Sequence, residues 1–146
     1  SMAAPNADPD VMRLYQARDE AFATRFFLEP CRVGSVLSYG TQVACPFSLH
    51  VMHSEELGRG PFENATFNVL VTEEGKILEG DTDWNFELNG MTEHYEAVTD
   101  WVWAQHPNQA EFLMLDEPDV PQAQLDRWLG LWERYIQDYL EAHAKR

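Results

Sequence analysis

Val43-Ala44-Cys45-Pro46-Phe47-Ser48-Leu49-His50-Val51 sets apolar side chains against small or polar ones at every second position. Val43, Cys45, Phe47, Leu49 and Val51 hold the odd places, and Ala44, Pro46, Ser48 and His50 the even ones. Successive side chains of a strand point to opposite faces, so the alternation predicts a strand with one buried face. Pro46 has no N–H for a ladder, which predicts an edge position or a bulge.

Leu57-Gly58-Arg59-Gly60-Pro61 reads as a loop, after which Phe67, Val69 and Val71 alternate with Thr66, Asn68 and Thr72. Glu73-Glu74-Gly75-Lys76 predicts a short hairpin turn, with Gly75 supplying positive φ. From Ile77 to Leu88, Leu78, Thr82, Trp84, Phe86 and Leu88 share one predicted face, and Glu79, Asp81, Asp83, Asn85 and Glu87 the other. Such short connections predict an antiparallel meander.

Helical spacing flanks this region. Asp8-Pro9-Asp10 has the form of a helix start: an N-cap acid, proline at the first helical position and negative charge in the first turn. Val11, Leu14, Tyr15, Phe22 and Phe26 continue at helical spacing, so a helix is predicted up to Pro30. Tyr95, Val98, Trp101 and Val102 mark a second helix ending near His106-Pro107, followed by an acidic, proline-containing loop. The strongest periodicity runs through Leu125, Trp128, Leu129, Trp132, Tyr135, Ile136, Tyr139 and Leu140, with Lys145 and Arg146 suited to its negative end. The expected class is α+β: an N-terminal helix, a curved antiparallel β-meander and two C-terminal helices. One domain is expected over 8–146, behind a frayed tail, 1–7, that opens with a tag remnant, Ser1-Met2.

The 146 residues are 45% hydrophobic and 24% charged, a globular composition of single-domain size. No apolar run approaches the ~20 residues of a membrane span, so no membrane partner is expected. Twenty-five acids against ten Lys and Arg give a formal charge of −15, and 77–126 holds twelve acids with no Lys or Arg. That field repels phosphate backbones, which argues against nucleic acid. The acidic stretch reads as a solvated surface or a docking face for a basic partner. Cys31 and Cys45 flank a turn-like stretch, 34–40, and face each other across a hairpin either as two buried thiols or as a disulfide. With no other sign of secretion, thiols and a cytoplasmic location are expected.

No nucleotide loop, zinc spacing, nucleophile elbow or redox cysteine pair is present, so no metal or cofactor is expected. His50 and His53 form an H-x-x-H, but an odd offset on a strand sends them to opposite faces, which argues against a shared metal. By parity His53 points inward with Phe47, Leu49 and Val51, unless the strand bulges first. An inward imidazole beside apolar walls is a candidate general acid or base, against the alternative of a hydrogen-bonded core histidine. Phe47, Leu49, Thr82, Trp84 and Phe86 are the candidate pocket walls. The row Glu79, Asp81, Asp83 and Glu87 reads as a solvated face or dimer edge rather than paired acid–base chemistry.

Several stretches carry a family resemblance: 50–62, from His50 through Glu55-Glu56-Leu57-Gly58-Arg59-Gly60-Pro61-Phe62, then Thr66-Phe67, Gly75-Lys76-Ile77 and Trp84-Asn85-Phe86-Glu87. With His106-Pro107 and Leu131-Trp132-Glu133, they resemble actinobacterial SnoaL-like, or nuclear transport factor 2-like, proteins over roughly residues 31–143. The resemblance implies a cone in which a curved sheet wraps helices around an apolar pocket. It also implies cofactor-free and metal-free isomerases, cyclases, hydrolases or dehydratases, alongside members that only bind. No catalytic residue is carried over from it. Such proteins have further helices and a strand ahead of the helix that starts here at Asp8, so the resemblance implies an incomplete roof and uncovered sheet.

Two functions follow as expectations. One is binding of a small hydrophobic molecule, with His53 transferring a proton in a cofactor-free reaction. The other is a non-catalytic binding or assembly module, and a homodimer is expected in either case.

Overall fold

A computed structural model describes residues 9–109 and 120–144. The expected tail, the Asp8 cap, Lys145, Arg146 and most of the acidic loop lie outside the described residues. Helix α1 spans Pro9–Ala21, with Pro9 at the first position, where a missing N–H is no loss. It stops earlier than the spacing predicts. Ala23 takes φ 50, a left-handed conformation common where helices end.

The next four residues, Arg25–Leu28, form strand β1 instead of helix. Aromatic residues suit a pleated surface, and here a partner strand is available: Phe26 pairs with Leu49 and Phe27 with Ser48. Phe22, left behind at the helix end, packs its ring 5.2 Å from Trp132 and 5.6 Å from Tyr95. Helical spacing and tertiary pairing compete over these residues, and pairing prevails.

Strands β2 (Arg32–Leu37), β3 (Gly40–His50), β4 (Phe62–Val71) and β5 (Ile77–Asp83) complete a five-stranded antiparallel sheet. β3 is long enough to pair with β1 at 47–50 and β2 at 40–44 along the same side, while β4 and β5 follow on the other. Cys31 therefore arrives opposite Cys45, and the two are joined in a disulfide rather than being free thiols. The turn before β5 has Gly75 at φ 80, as its sequence predicts.

β5 ends at Asp83, short of the predicted Leu88. The Asn85 N–H donates to Asp83 Oδ1 at 3.1 Å, Asn85 adopts φ 57, and Asn89 Nδ2 donates to the Trp84 carbonyl. These side-chain bonds offer the backbone an alternative to the ladder and turn the chain. Phe86 and Leu88 consequently sit exposed in a turn, and Glu87 leaves the acidic row.

Helix α2 (Met91–Gln105), a 3-10 turn (Pro107–Gln109) and helix α3 (Gln122–His143) follow. α1 and α2 both pack on α3. The α3 stripe is buried as its spacing predicts, through Leu125, Trp128, Trp132, Tyr135, Ile136 and Tyr139. One core joins these residues to Phe47, Leu49, Ala65 and Phe67 of the sheet and to Val98 and Val102 of α2. The architecture is α+β. Among the described residues, no helix is long and apolar enough to cross a membrane.

Candidate functional site

The chain leaves β3 at His50 and reverses at once. Val51 and Met52 are buried, and Met52 and His53 adopt φ 52 and 57. Two consecutive left-handed residues break the strand's parity, so Met52 fills the core position expected for His53. His53 is turned away from the apolar side, with 28% of its side chain accessible and Nδ1 3.1 Å from Glu56 Oε2.

It borders a polar cleft of about 390 Å³ between the end of α1, the start of β1 and the 50–56 segment. Asp19, Arg25, His50, Glu55 and Glu56 line the same cleft. His50 and His53 thus share a cavity instead of standing on opposite faces, again because the strand ends between them. Arg25 forms an ion pair with Glu55 across the opening. Burial pushes the Asp19 carboxyl above its ordinary range.

His50 is nearly enclosed. Its Nδ1 lies 2.8 Å from the Oγ of the fully buried Ser54, which also accepts the Val51 N–H at 3.1 Å. The Phe27 ring stands edge-on 5.9 Å away. Gly60 makes this approach possible, because a Cβ there would lie 3.3 Å from the imidazole. Burial, and then Arg25, lower the His50 pKa, while Glu56 and a hydrogen bond to the Arg59 backbone oppose the shift.

A second histidine lies deeper. His94, on α2, is 2% exposed. Its Nε2 is 2.9 Å from the Val51 carbonyl and its Nδ1 3.1 Å from Arg59 Nη1, which also donates to the Tyr139 hydroxyl at 2.9 Å. A carbonyl can only accept and a guanidinium can only donate, so the ring is neutral with its proton on Nε2. Burial, foremost, and Arg59 lower its pKa, against hydrogen bonds to the backbone of Val51 and Met52. Sequence reading missed His94, Arg59 and Tyr139 as a group. The signal was there for His94: extending the α2 stripe Val98–Val102 back by one turn puts a polar residue at a core position.

The five expected pocket walls lie elsewhere. Phe47 and Leu49 are buried in the core. Phe47 meets Phe26 and Trp84 edge-on, each at 5.7 Å, and Trp84 stacks on the exposed Phe86 at 5.9 Å. Thr82 is half-buried opposite Phe67. None of the five borders the cleft, nor a second cavity of about 550 Å³ lined by Gln42, Ala44, Asn68, Leu70, Glu79 and Asp81 among others. Among the described residues, no group of three His, Cys, Asp or Glu is arranged to hold a metal.

In chemical terms the cleft offers an imidazole oriented by a carboxylate, a second imidazole held towards neutrality and a guanidinium at the rim. A carboxylate on Nδ1 sets the tautomer that leaves Nε2 to act as base, and Arg25 can balance developing negative charge. Comparison with protein-family models, curated proteins and solved structures finds no match to this chain.

Proposed function

We propose that the protein binds a small molecule at the His53 cleft and moves a proton on it without a cofactor. His53 acts as general base or acid and Glu56 orients its ring. The observation that carries this reading is the convergence of His53, Glu56, His50 and Arg25 on one cavity of about 390 Å³. The ligand's apolar part would lie along Phe27, half-exposed beside His50, and its reacting end in the polar cleft. The helix–meander–helix order and the 50–62 loop support placing the chain with the SnoaL-like, nuclear transport factor 2-like proteins, as part of the same proposal.

A thermal-shift screen of small carbonyl compounds and apolar metabolites tests it, since a ligand selective for the native state raises the midpoint. The reading expects hits whose binding or turnover falls in His53→Ala. It fails if every hit acts unchanged on that variant.

A second reading, a non-catalytic dimeric module, is favoured by β2. Its Val33 and Val36 are 73% and 77% exposed, with Leu28 and Tyr39 exposed nearby. Sedimentation at micromolar concentration tests this alternative, because a strict monomer removes it. Cytoplasmic residence would require that Cys31 and Cys45 be reduced there. Alkylating thiols in freshly lysed cells tests that directly.

A further inference from the structure

We propose that His94 is an acid-sensitive lock on the 51–61 segment: protonating it expels Arg59 and releases the stretch that carries His53 and Glu56. The inference concerns the segment itself and holds whatever the cleft binds. If the proton-transfer reading is right, the lock also regulates that site.

The geometry leaves His94 no way to accept a second proton in place. Its Nε2–H is committed to the Val51 carbonyl and its Nδ1 lone pair to Arg59 Nη1. A proton on Nδ1 would remove that lone pair and aim an N–H at a guanidinium 3.1 Å away, two donors with no acceptor between them. Like charges at that separation, one buried and one half-buried, repel strongly. One contact must give, and it is the half-buried Arg59 side chain rather than the carbonyl of the buried Val51.

The surroundings offer no relief. The loop contributes Arg59, α3 the Tyr139 hydroxyl that accepts from Arg59, and β3 His50. β4 contributes the Phe62 ring, 5.6 Å away. The charges acting on His94 are therefore Arg59, a cation, and His50, which becomes one in acid. His50 is a poorer sensor. Its partner on Nδ1 is a hydroxyl, which can rotate from donor to acceptor and keep the bond when the ring is charged.

The sign follows from linkage. The locked state holds the His94 pKa below its ordinary value, whereas the released ring has the ordinary value. The lock is thus fully set above about pH 6.5, and release grows about tenfold per pH unit below it, levelling off at the locked pKa.

Hydrogen exchange on the full chain, between about pH 7.5 and about pH 5 and corrected for intrinsic rates, reads the release. We expect amides of 52–60 to gain exchange below about pH 6.5, by up to about tenfold per unit, while those of β3 and β4 keep their protection. His94→Gln retains a donor and an acceptor but cannot titrate, so its loop should be flat with pH, whereas His50→Gln should still respond. A flat unmodified loop, an undiminished response in His94→Gln, or a response lost in His50→Gln overturns the proposal. Should His94→Gln not fold, imidazole nitrogen resonances of the unmodified protein decide. Nδ1 must be unprotonated at neutral pH and titrate at the midpoint of the loop's exchange. A protonated Nδ1, or a different midpoint, overturns the proposal equally.

Discussion

The two ends of β3 carry the same alternation and meet different fates. At 47–51 the inward residues Phe47, Leu49 and Val51 are sealed beneath the helices, Phe47 to 2% exposure. At 40–44 the same face continues through Val43, which is only half-buried, and its β2 neighbours Val33 and Val36 are open to solvent. Period-two patterning decides which side of a strand is apolar. It does not decide whether anything covers that side. Cover depends on how far α1, α2 and α3 reach, and their contacts with Phe47, Leu49, Ala65 and Phe67 leave the β2 end bare.

The largest test of this contrast is truncation within the sealed half. We expect Phe47→Ala to cost about 3–5 kcal/mol in urea unfolding, from lost transfer energy and a residual cavity. A loss near that of a surface site would mean that the helix layer does not cover the sheet. Next comes the staple that holds the open half. Cys31 and Cys45 are 14 residues apart, and closing such a loop stabilises by about 3 kcal/mol. Reduction should lower stability by that order and raise exchange in β2 before β4. An unchanged urea midpoint under reductant would show that the open half needs no staple.

A smaller effect is expected at the junction between the halves and the helices. Tyr139→Phe removes the hydroxyl that accepts from Arg59, which we expect to cost about 1–3 kcal/mol, typical of a hydrogen bond to a charged group. Acid should act in the same direction. His50 and His94 both have lowered pKa values in the fold, so their contribution is present when they are neutral and is lost as pH falls below about 6.5. Asp19 works oppositely, because its raised pKa makes the fold favour the protonated form and stability decline as the carboxyl ionises. Urea midpoints across pH 5–8 would check the histidines, and a rise in stability on acidification below about pH 6.5 would contradict their sign. The smallest effect belongs to the bare end: Val36→Lys should change monomer stability by less than about 0.5 kcal/mol. If it also abolishes self-association, the exposed edge is a contact between copies. A cost above about 1 kcal/mol would show that Val36 is covered after all.

Much of this fold was legible. The α3 stripe, the β3 alternation, the Gly75 turn and the end of α2 near His106 each rest on a local rule that no neighbour contradicts. The misses share a cause. Phe26 lies at helical spacing yet joins a strand, because a partner strand outbids a weak helical preference. Trp84 to Leu88 alternate, yet Asp83, Asn85 and Asn89 turn the chain with side-chain bonds. At the candidate site the sequence singles out His53 but turns its side chain inward and does not reveal its surroundings. Its parity depended on where β3 stops, and the Arg59–His94–Tyr139 group joins positions up to 80 residues apart, which no spacing rule connects.

From its residues alone this chain determined its class, its charge and the inward faces of its principal elements, because those follow from periodicity within one segment. The assembled structure decided the rest: that β1 replaces the end of a helix, that Cys31 meets Cys45, that the helices cover one end of the sheet and not the other, and that His94 lies against Arg59. Those outcomes are competitions among distant groups for burial and hydrogen bonds, and they are settled only when the chain brings the groups together.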